Sequence, residues 1–515
     1  MQEIELKLGL DETQERRLRN SKAVKALSQG PASTETLVSI YYDTPDHALR
    51  AEGIALRLRR AGGEWVQTLK SARSEITGGL STPVEIEYPV EEQALDLTRI
   101  PDHDLRERVI GLAQQGLEPV AETRFRRTKR ILELPQAGVE AELAIDKGTL
   151  SSGGVAESFV EAELELKSGP ISGLYDLACR IFPSGPIRFA TASKSERALN
   201  LSGSCAGPSL RKAKPVELDG SRPVEEAAIR ILNEGLAHAA PNIVLVLESE
   251  VMEGPHQMRV GLRRLRSALS AFRPVLGREA LAPIGNQAKI LGAEAGRIRD
   301  LDVLAEEIVA GAAAAHPQEP GYQRLIGAIR LRREQVRTEV RKALLGSELT
   351  LFPLQLAQFI SNRGWIDGSD HDQTARLAQP VLPFACKVLD KRWKAVRRWG
   401  DVIEDLTIDE RHEMRKEIKK LRYMVDAFRS LFDPGEVASF TRFMKRLQKA
   451  FGALNDSAMT ELVLMAPDAP GSDDPAAQRA AGRIIGALEA KSDALWPAAI
   501  CDWHALAEFG RFWRR

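Results

Sequence analysis

The chain has 515 residues, is 43% hydrophobic, and balances 72 Lys and Arg against 72 Asp and Glu. That is the composition of a soluble globular protein too long for one ordinary core, and its neutrality excludes a chain-wide nucleic-acid footprint. Four scattered cysteines (Cys179, Cys205, Cys386, Cys501), with no CxxC pair, argue against a disulfide framework and against a thiolate zinc site.

The chain reads as strand from residue 2, leaving no room for a signal peptide. No apolar run approaches the roughly 20 residues that span a bilayer. A cytoplasmic location without membrane or nucleic-acid partners is the expectation. Residues 1–200 carry 26 basic against 31 acidic side chains, and the remainder 46 against 41.

The first element is MQEIELKLGL, where Glu3, Glu5 and Lys7 alternate with Ile4, Leu6 and Leu8. Successive side chains of a strand face opposite ways, so the three charged groups share one face. The alternation returns strand after strand: Arg57 and Arg59 in ALRLRR, Thr68 and Lys70 in VQTLK, Glu85 and Glu87 in VEIEYPV. It continues with Arg124 and Arg126 in TRFRRTK, Glu140 and Glu142, then Glu161, Glu163, Glu165 and Lys167 in VEAELELKSG, and Lys194 and Arg197 in ASKSERAL. Helical stretches near 13–27, 104–115 and 171–181 interrupt these strands. A charged face backed by an apolar one inverts the usual sheet and suits a closed barrel with an ionic lumen.

Buried charges of both signs must be neutralised. They either pair with one another as a structural network or hold a polyanion together with a divalent cation. Clustered carboxylates suit Mg²⁺ or Mn²⁺, and Arg and Lys at fixed spacing suit phosphate oxygens, so the residue types favour the second.

Glu3-x-Glu5-x-Lys7, then YYDTPDHALRAEGIALRLRR, the later E-x-E strands, AIDKG, ELELKSG and SKSER resemble the CYTH superfamily of triphosphate tunnel metalloenzymes, in that family's order. The resemblance implies an α+β domain: an eight-stranded antiparallel β tunnel with flanking helices that hydrolyses or cyclises triphosphate substrates with Mg²⁺ or Mn²⁺. Carried over position by position, Glu3 and Glu5 would ligate metal together with Glu161, Glu163 and Glu165. Glu85 and Glu87 would orient the attacking water. Lys7, Arg57, Arg59, Lys70, Arg124, Arg126 and Lys194 would grip the triphosphate. Glu5, Lys7, Glu85 and Glu87 would form the catalytic set.

Residues 202–222 (SGSCAGPSLRKAKPVELDGSR) are rich in Gly, Ser, Pro and Lys and are read as a linker between a tunnel domain, 1–201, and a helical domain, 223–515. Beyond it apolar residues recur at three- and four-residue spacing, the mark of helices. HQMRVGLRRLR from His256 returns as HEMRKEIKKLR from His412, and the same offset relates Lys289 to Lys445 and Asp300 to Asp456. Duplication explains this set, giving two helical bundles near 225–345 and 375–510. His256, Arg259, Arg263 and Arg266 fall on one helical stripe, as do His412, Arg415, Lys419 and Arg422. Two such stripes meeting would form a basic channel for a polyanion.

These repeated histidines and basic residues resemble the CHAD domain, which implies binding of inorganic polyphosphate, with Lys289 and Lys445 joining the two stripes. Arg297 and Arg299 are answered by Ala453 and Asn455, so the second copy is less basic there. The expected function is hydrolysis of inorganic triphosphate with polyphosphate binding alongside. The alternatives are a nucleoside or thiamine triphosphatase or adenylate cyclase, and a non-catalytic polyphosphate-binding or targeting protein.

Overall fold

The computed structural model describes residues 4–71, 78–81, 84–182, 185–190, 192–201, 209–346 and 348–514. The chain forms two compact units, one of residues 1–209 with 350–364 and the other of 210–349 with 365–515.

The first unit is an antiparallel sheet of β1 (Glu5–Gly9), β2 (Ser28–Asp43), β3 (Ile54–Ala61), β4 (Glu64–Ser71), β5 (Leu80–Ser81), β6 (Val84–Val90), β7 (Glu118–Leu134), β8 (Val139–Ser152), β9 (Val155–Ser168) and β10 (Arg188–Phe189). The order is β10-β1-β9-β8-β7-β2-β3-β4-β6. Eight of these strands are five residues or longer, and β5 and β10 are two-residue additions, so among the described residues the sheet has ten strands where eight were expected. β5 pairs with β1 at one end of this order, and β6, the next strand in the chain, pairs with β4 at the other. Two hairpins turn on Gly62-Gly63 and Gly153-Gly154, all with positive φ, the backbone that two-residue hairpin turns require.

Over β3, β4 and β6 the outer face of the tunnel is apolar. Leu56, Leu58, Leu69 and Tyr88 pack with Leu49, Ile100 and Val109 beneath the short helices Ala48–Ala51 and His103–Leu112. The Asp43-Thr44 turn is a cap: Asp43 Oδ1 accepts the N–H groups of Thr44 (2.8 Å) and Leu49 (2.9 Å), and Oδ2 that of Arg50 (3.1 Å). The structure departs from the expected domain division in two places. The Phe352–Ser361 helix packs on the Ser172–Ile181 helix, where Gln358 hydrogen-bonds Asp176, so 350–364 belongs with the tunnel. The second part of the expected linker is not free: Arg211 pairs with Glu234 (2.9 Å), Ser430 Oγ accepts from Leu218 N–H (3.0 Å), and Arg222 O accepts from Val381 N–H (2.9 Å).

The second unit has two sets of four long helices. Val224–Glu248, Glu253–Leu276, Arg278–Asp302 and Pro320–Leu345 form the first. Val381–Gly400, Ile408–Phe428, Pro434–Leu464 and Pro475–Phe509 form the second. Met258, Leu262, Leu265 and Leu269 make the buried stripe of one stripe-bearing helix, and Met414, Ile418 and Leu421 that of the other. These two helices pack on each other, and their basic residues therefore meet. Among the described residues no single helix is long and apolar enough to cross a membrane.

Candidate functional site

The strand register sets the lumen. Glu5, Lys7, Arg57, Arg59, Thr68, Lys70, Glu85 and Glu87 come from β1, β3, β4 and β6, and their contacts cross between strands. Lys7 Nζ lies 2.7 Å from Glu5 Oε1 and 3.4 Å from Glu163 Oε1. Arg57 reaches Glu85 (3.5 Å) and Glu87 (3.3 Å), Thr68 donates to Glu87 (3.0 Å), and Lys70 pairs with Glu85. Arg59 Nε donates to Ser39 Oγ at 3.3 Å. Burial, then the neighbouring Arg57 charge, pull the Arg59 guanidinium down to about 10.

A second cluster lies on β7, β8 and β9, where Arg127 stands opposite Asp146 and Asp146 opposite Glu161. Arg127 holds Asp146 with Nε to Oδ1 at 2.7 Å and Nη2 to Oδ2 at 2.6 Å, and touches Glu163 Oε2 at 2.5 Å. Lys194 meets Glu163 (2.6 Å), Asp146 (2.9 Å) and Glu161 (3.1 Å). Burial alone would raise the Glu163 carboxyl, but Lys194, Lys7 and Arg127 hold it well below the usual carboxylate range. Burial raises the Glu5 carboxyl, against the opposing pull of Lys7.

Two expected residues do not face this lumen. Arg124 and Arg126 are exposed on the outer face of β7, because Ala121, Thr123 and Phe125 take the buried phase. The inward guanidinium is Arg127, one position beyond Arg126, and Asp146 of AIDKG is the carboxylate that the sequence reading left unassigned. The length of RFRRTKR hides the phase, and the Thr123/Phe125 alternation is the signal that fixes it. Lys194 begins a short helix, Lys194–Leu199, rather than a strand, and still reaches the cluster. Glu165 is half-buried and pairs with Lys167 at 2.6 Å, apart from the Lys194 cluster. Glu3 lies outside the described residues.

Among the described residues no group of three or more His, Cys, Asp or Glu side chains is arranged to hold a metal as it stands. The buried acids nevertheless suit a hard cation: Asp146, Glu161 and Glu163 turn carboxylate oxygens onto one point, which an ammonium fills.

In the helical unit a cavity of about 750 Å³ is lined by Arg259, Arg263, Arg266, Arg273, Arg278, Lys289, Arg392, Arg415, Lys416, Lys419 and Lys420 and, among the described residues, by no acidic side chain. Six of the ten expected polyanion contacts line it: Arg259, Arg263, Arg266, Lys289, Arg415 and Lys419. His256, His412, Arg422 and Lys445 do not. Arg422 turns to Gln448 (2.6 Å) and the Tyr423 ring, and Lys445 is exposed elsewhere. Arg273, Arg278, Arg392, Lys416 and Lys420 were not foreseen, because they lie off the duplicated stripe. Burial, reinforced by Arg415, Arg263 and Arg259, brings the Lys419 ammonium down to about 6, and burial with Arg263 brings Arg415 to about 10. Arg259 pairs with Asp300 at 2.5 Å, and Asp456 partly offsets the charge of Arg415. Cations crowded and partly desolvated in this way give the cavity a positive potential.

An ionic antiparallel tunnel joined to a duplicated helical bundle with a basic cavity defines a two-domain class. The CYTH domain family matches residues 1–198 and the CHAD domain family residues 230–464. Residues 1–198 are thus a CYTH domain and residues 230–464 a CHAD domain, joined in one chain. An inorganic triphosphatase of Haemophilus influenzae is 31% identical over 167 residues, which is 31% of this chain and 44% of that relative. The chain thus spans less than half of that relative's length. An uncharacterized protein of Mycobacterium tuberculosis is 25% identical over 442 residues, covering 79% of this chain and 78% of its own length. The crystal structure of the CHAD domain from the plant Ricinus communis covers 58% of this chain and 98% of its own, with 24% identity and a TM-score of 0.50, and it shares the helical fold.

Proposed function

We propose that the tunnel hydrolyses inorganic triphosphate to phosphate and pyrophosphate with Mg²⁺ or Mn²⁺, and that the helical domain binds inorganic polyphosphate. The observation that carries the first part is one lumen lined by both a basic set (Lys7, Arg57, Arg59, Lys70, Arg127, Lys194) and an acidic set (Glu5, Glu85, Glu87, Asp146, Glu161, Glu163). A lumen built for anions alone has no use for six carboxylates. The basic set would bind and orient the phosphates, and Glu85 and Glu87, held by Arg57 and Thr68, would orient the attacking water. Glu5, Asp146, Glu161 and Glu163 would hold the divalent cation, which supplies neutralisation of phosphate charge when bound. The triphosphatase relative supports this reading.

The eleven basic side chains around the helical cavity support the second part, with an extended polyanion as ligand. Phosphate release from triphosphate, ATP and long-chain polyphosphate, with and without Mg²⁺ or Mn²⁺, tests the enzyme reading in wild type and Glu5→Ala. Metal-dependent turnover of triphosphate that Glu5→Ala abolishes is the expected result. Turnover of ATP in preference to triphosphate shifts the substrate to a nucleotide, and no turnover of any of them defeats the enzymatic reading.

A further inference from the structure

The Lys194 ammonium sits where three buried acids converge, 2.6 Å from Glu163 Oε1, 2.9 Å from Asp146 Oδ2 and 3.1 Å from Glu161 Oε2. Arg127, Lys7 and Arg197 surround the same acids, with Arg197 3.9 Å from Glu161. Counting Glu5, which Lys7 also touches at 2.7 Å, four carboxylates face four cations, and the cluster is neutral by itself. The oxygens around the ammonium are the donors that a hard cation requires. A divalent ion and the ammonium cannot share them, since like charges a few ångströms apart in a poorly solvated site repel strongly.

Of the four cations, Lys194 is the one placed to leave, since Arg197 is held outside the convergence point by Glu157 at 3.4 Å. Arg127 is fixed by its two-armed grip on Asp146 and its contact with Glu163. Lys7 lies inside β1, bonded to β9 on one side and to β5 and β10 on the other. Lys194 starts a six-residue helix and reaches in on a flexible four-carbon stem that carries a point charge. The Phe125 and Phe159 rings lie 5.5 and 5.7 Å from its Nζ, a cation–π surface against which the ammonium can shift.

We propose that Lys194 is an internal cation that competes with divalent metal for Asp146, Glu161 and Glu163 and passes to the triphosphate when metal is taken up. This rests on the metal-dependent triphosphatase reading and adds a consequence to it. Metal and triphosphate bind with positive coupling, each raising the affinity of the other by the same factor, because one admits the cation and the other receives the released ammonium. Lys194 is then a positioning residue for the metal and a contact for the substrate.

The test is Mn²⁺ binding to the full-length chain without triphosphate, followed by calorimetry and by the electron paramagnetic resonance of free Mn²⁺. Lys194→Gln is expected to bind Mn²⁺ at least tenfold more tightly than wild type, and Lys194→Arg no more tightly. Equal or weaker binding by Lys194→Gln overturns the proposal. If Lys194→Gln does not fold, wild type decides: reductive methylation read by peptide mass spectrometry should find Lys194 protected without Mn²⁺ and reactive at saturating Mn²⁺, and unchanged protection overturns the competition. A triphosphate hydrolysis assay run in parallel separates the two readings. Tighter Mn²⁺ binding by the variant with no wild-type turnover removes the substrate and keeps the competition. Turnover with no gain in Mn²⁺ affinity removes the competition alone.

Discussion

Arg127 grips Asp146 through both arms of its guanidinium, at 2.7 and 2.6 Å, from the position directly opposite on the neighbouring strand. Asp146 is fully buried. Burial alone would weaken the guanidinium's hold on its proton, but Glu163 and Asp146 outweigh that and keep it charged. A planar fork on a planar carboxylate fixes the β7–β8 register as well as the charge of the lumen. The pair is both part of the wall and part of the site.

Arg127→Ala should therefore cost stability and activity together. It leaves Asp146 buried with one of its two cations gone, a change of about 3–5 kcal/mol for a broken buried pair. Thermal unfolding and triphosphate kcat/KM are the measurements, and a loss of at least about 100-fold in kcat/KM is expected, equivalent to about 2.7 kcal/mol. Arg124→Ala and Arg126→Ala, on the exposed face of the same strand, should stay within about 0.5 kcal/mol of wild type in stability. A large effect at Arg126 with none at Arg127 would put the lumen on the wrong face of β7.

In the helical domain, position in the cavity should decide the effect of a charge removal. Arg263→Ala with Lys419→Ala removes two lining cations, and polyphosphate binding should weaken with a shallower dependence on salt. Lys445→Ala, related to Lys289 by the repeat but outside the lining, should change neither quantity measurably. Titrations of long-chain polyphosphate at several salt concentrations check both, and equal losses at Lys445 and Arg263 would place the ligand elsewhere.

The Lys419 ammonium titrates near 6 in the fold against 10.5 ordinarily. Between those values the unfolded chain holds a proton that the folded chain lacks, so this residue makes stability rise with pH across the window. A bound polyanion restores the charge. Polyphosphate should bind more tightly as pH falls from 8 toward 6, and binding at pH 7.5 should take up a proton, seen as buffer-dependent heat. Lys419→Met should flatten both trends while raising the melting temperature of the free protein. A buffer-independent heat in wild type would refute the assignment.

The charge alternation made the tunnel legible because charged residues recur at every second position on β1, β3, β6 and β9. It failed at β7, where both faces of RFRRTKR carry cations and only the Thr123/Phe125 phase distinguishes them. The repeat exposed the two stripes, yet three of their eight residues, and Lys445 beside them, miss the cavity. A heptad-like stripe gives an angle around one helix and says nothing of where the neighbouring helix covers it. Arg392 shows the converse: it lines the cavity from the Val381–Gly400 helix, outside either stripe, and hydrogen-bonds Ser270 at 2.9 Å. The 350–364 segment reads as one more helix of the second domain, because sequence periodicity marks a helix without naming its partner.

Gly148, the last residue of AIDKG, tests how tightly β8 is set against β7. It faces Phe125 in register, and a Cβ there would stand 2.1 Å from Arg124 O and 2.4 Å from Phe125 Cα. Those are backbone atoms of the neighbouring strand, so they cannot yield by a rotamer change. Gly148→Ala must push β8 from β7 two residues away from Asp146 and loosen the register that holds its two bonds to Arg127. Overpacking of this kind costs about 1–3 kcal/mol. The expected result is a lower melting temperature together with reduced triphosphate turnover, while polyphosphate binding by the helical domain is unchanged. Wild-type stability in Gly148→Ala would mean that the two strands have room to separate at this point, and that Asp146 owes its place to Arg127 and Lys194 alone.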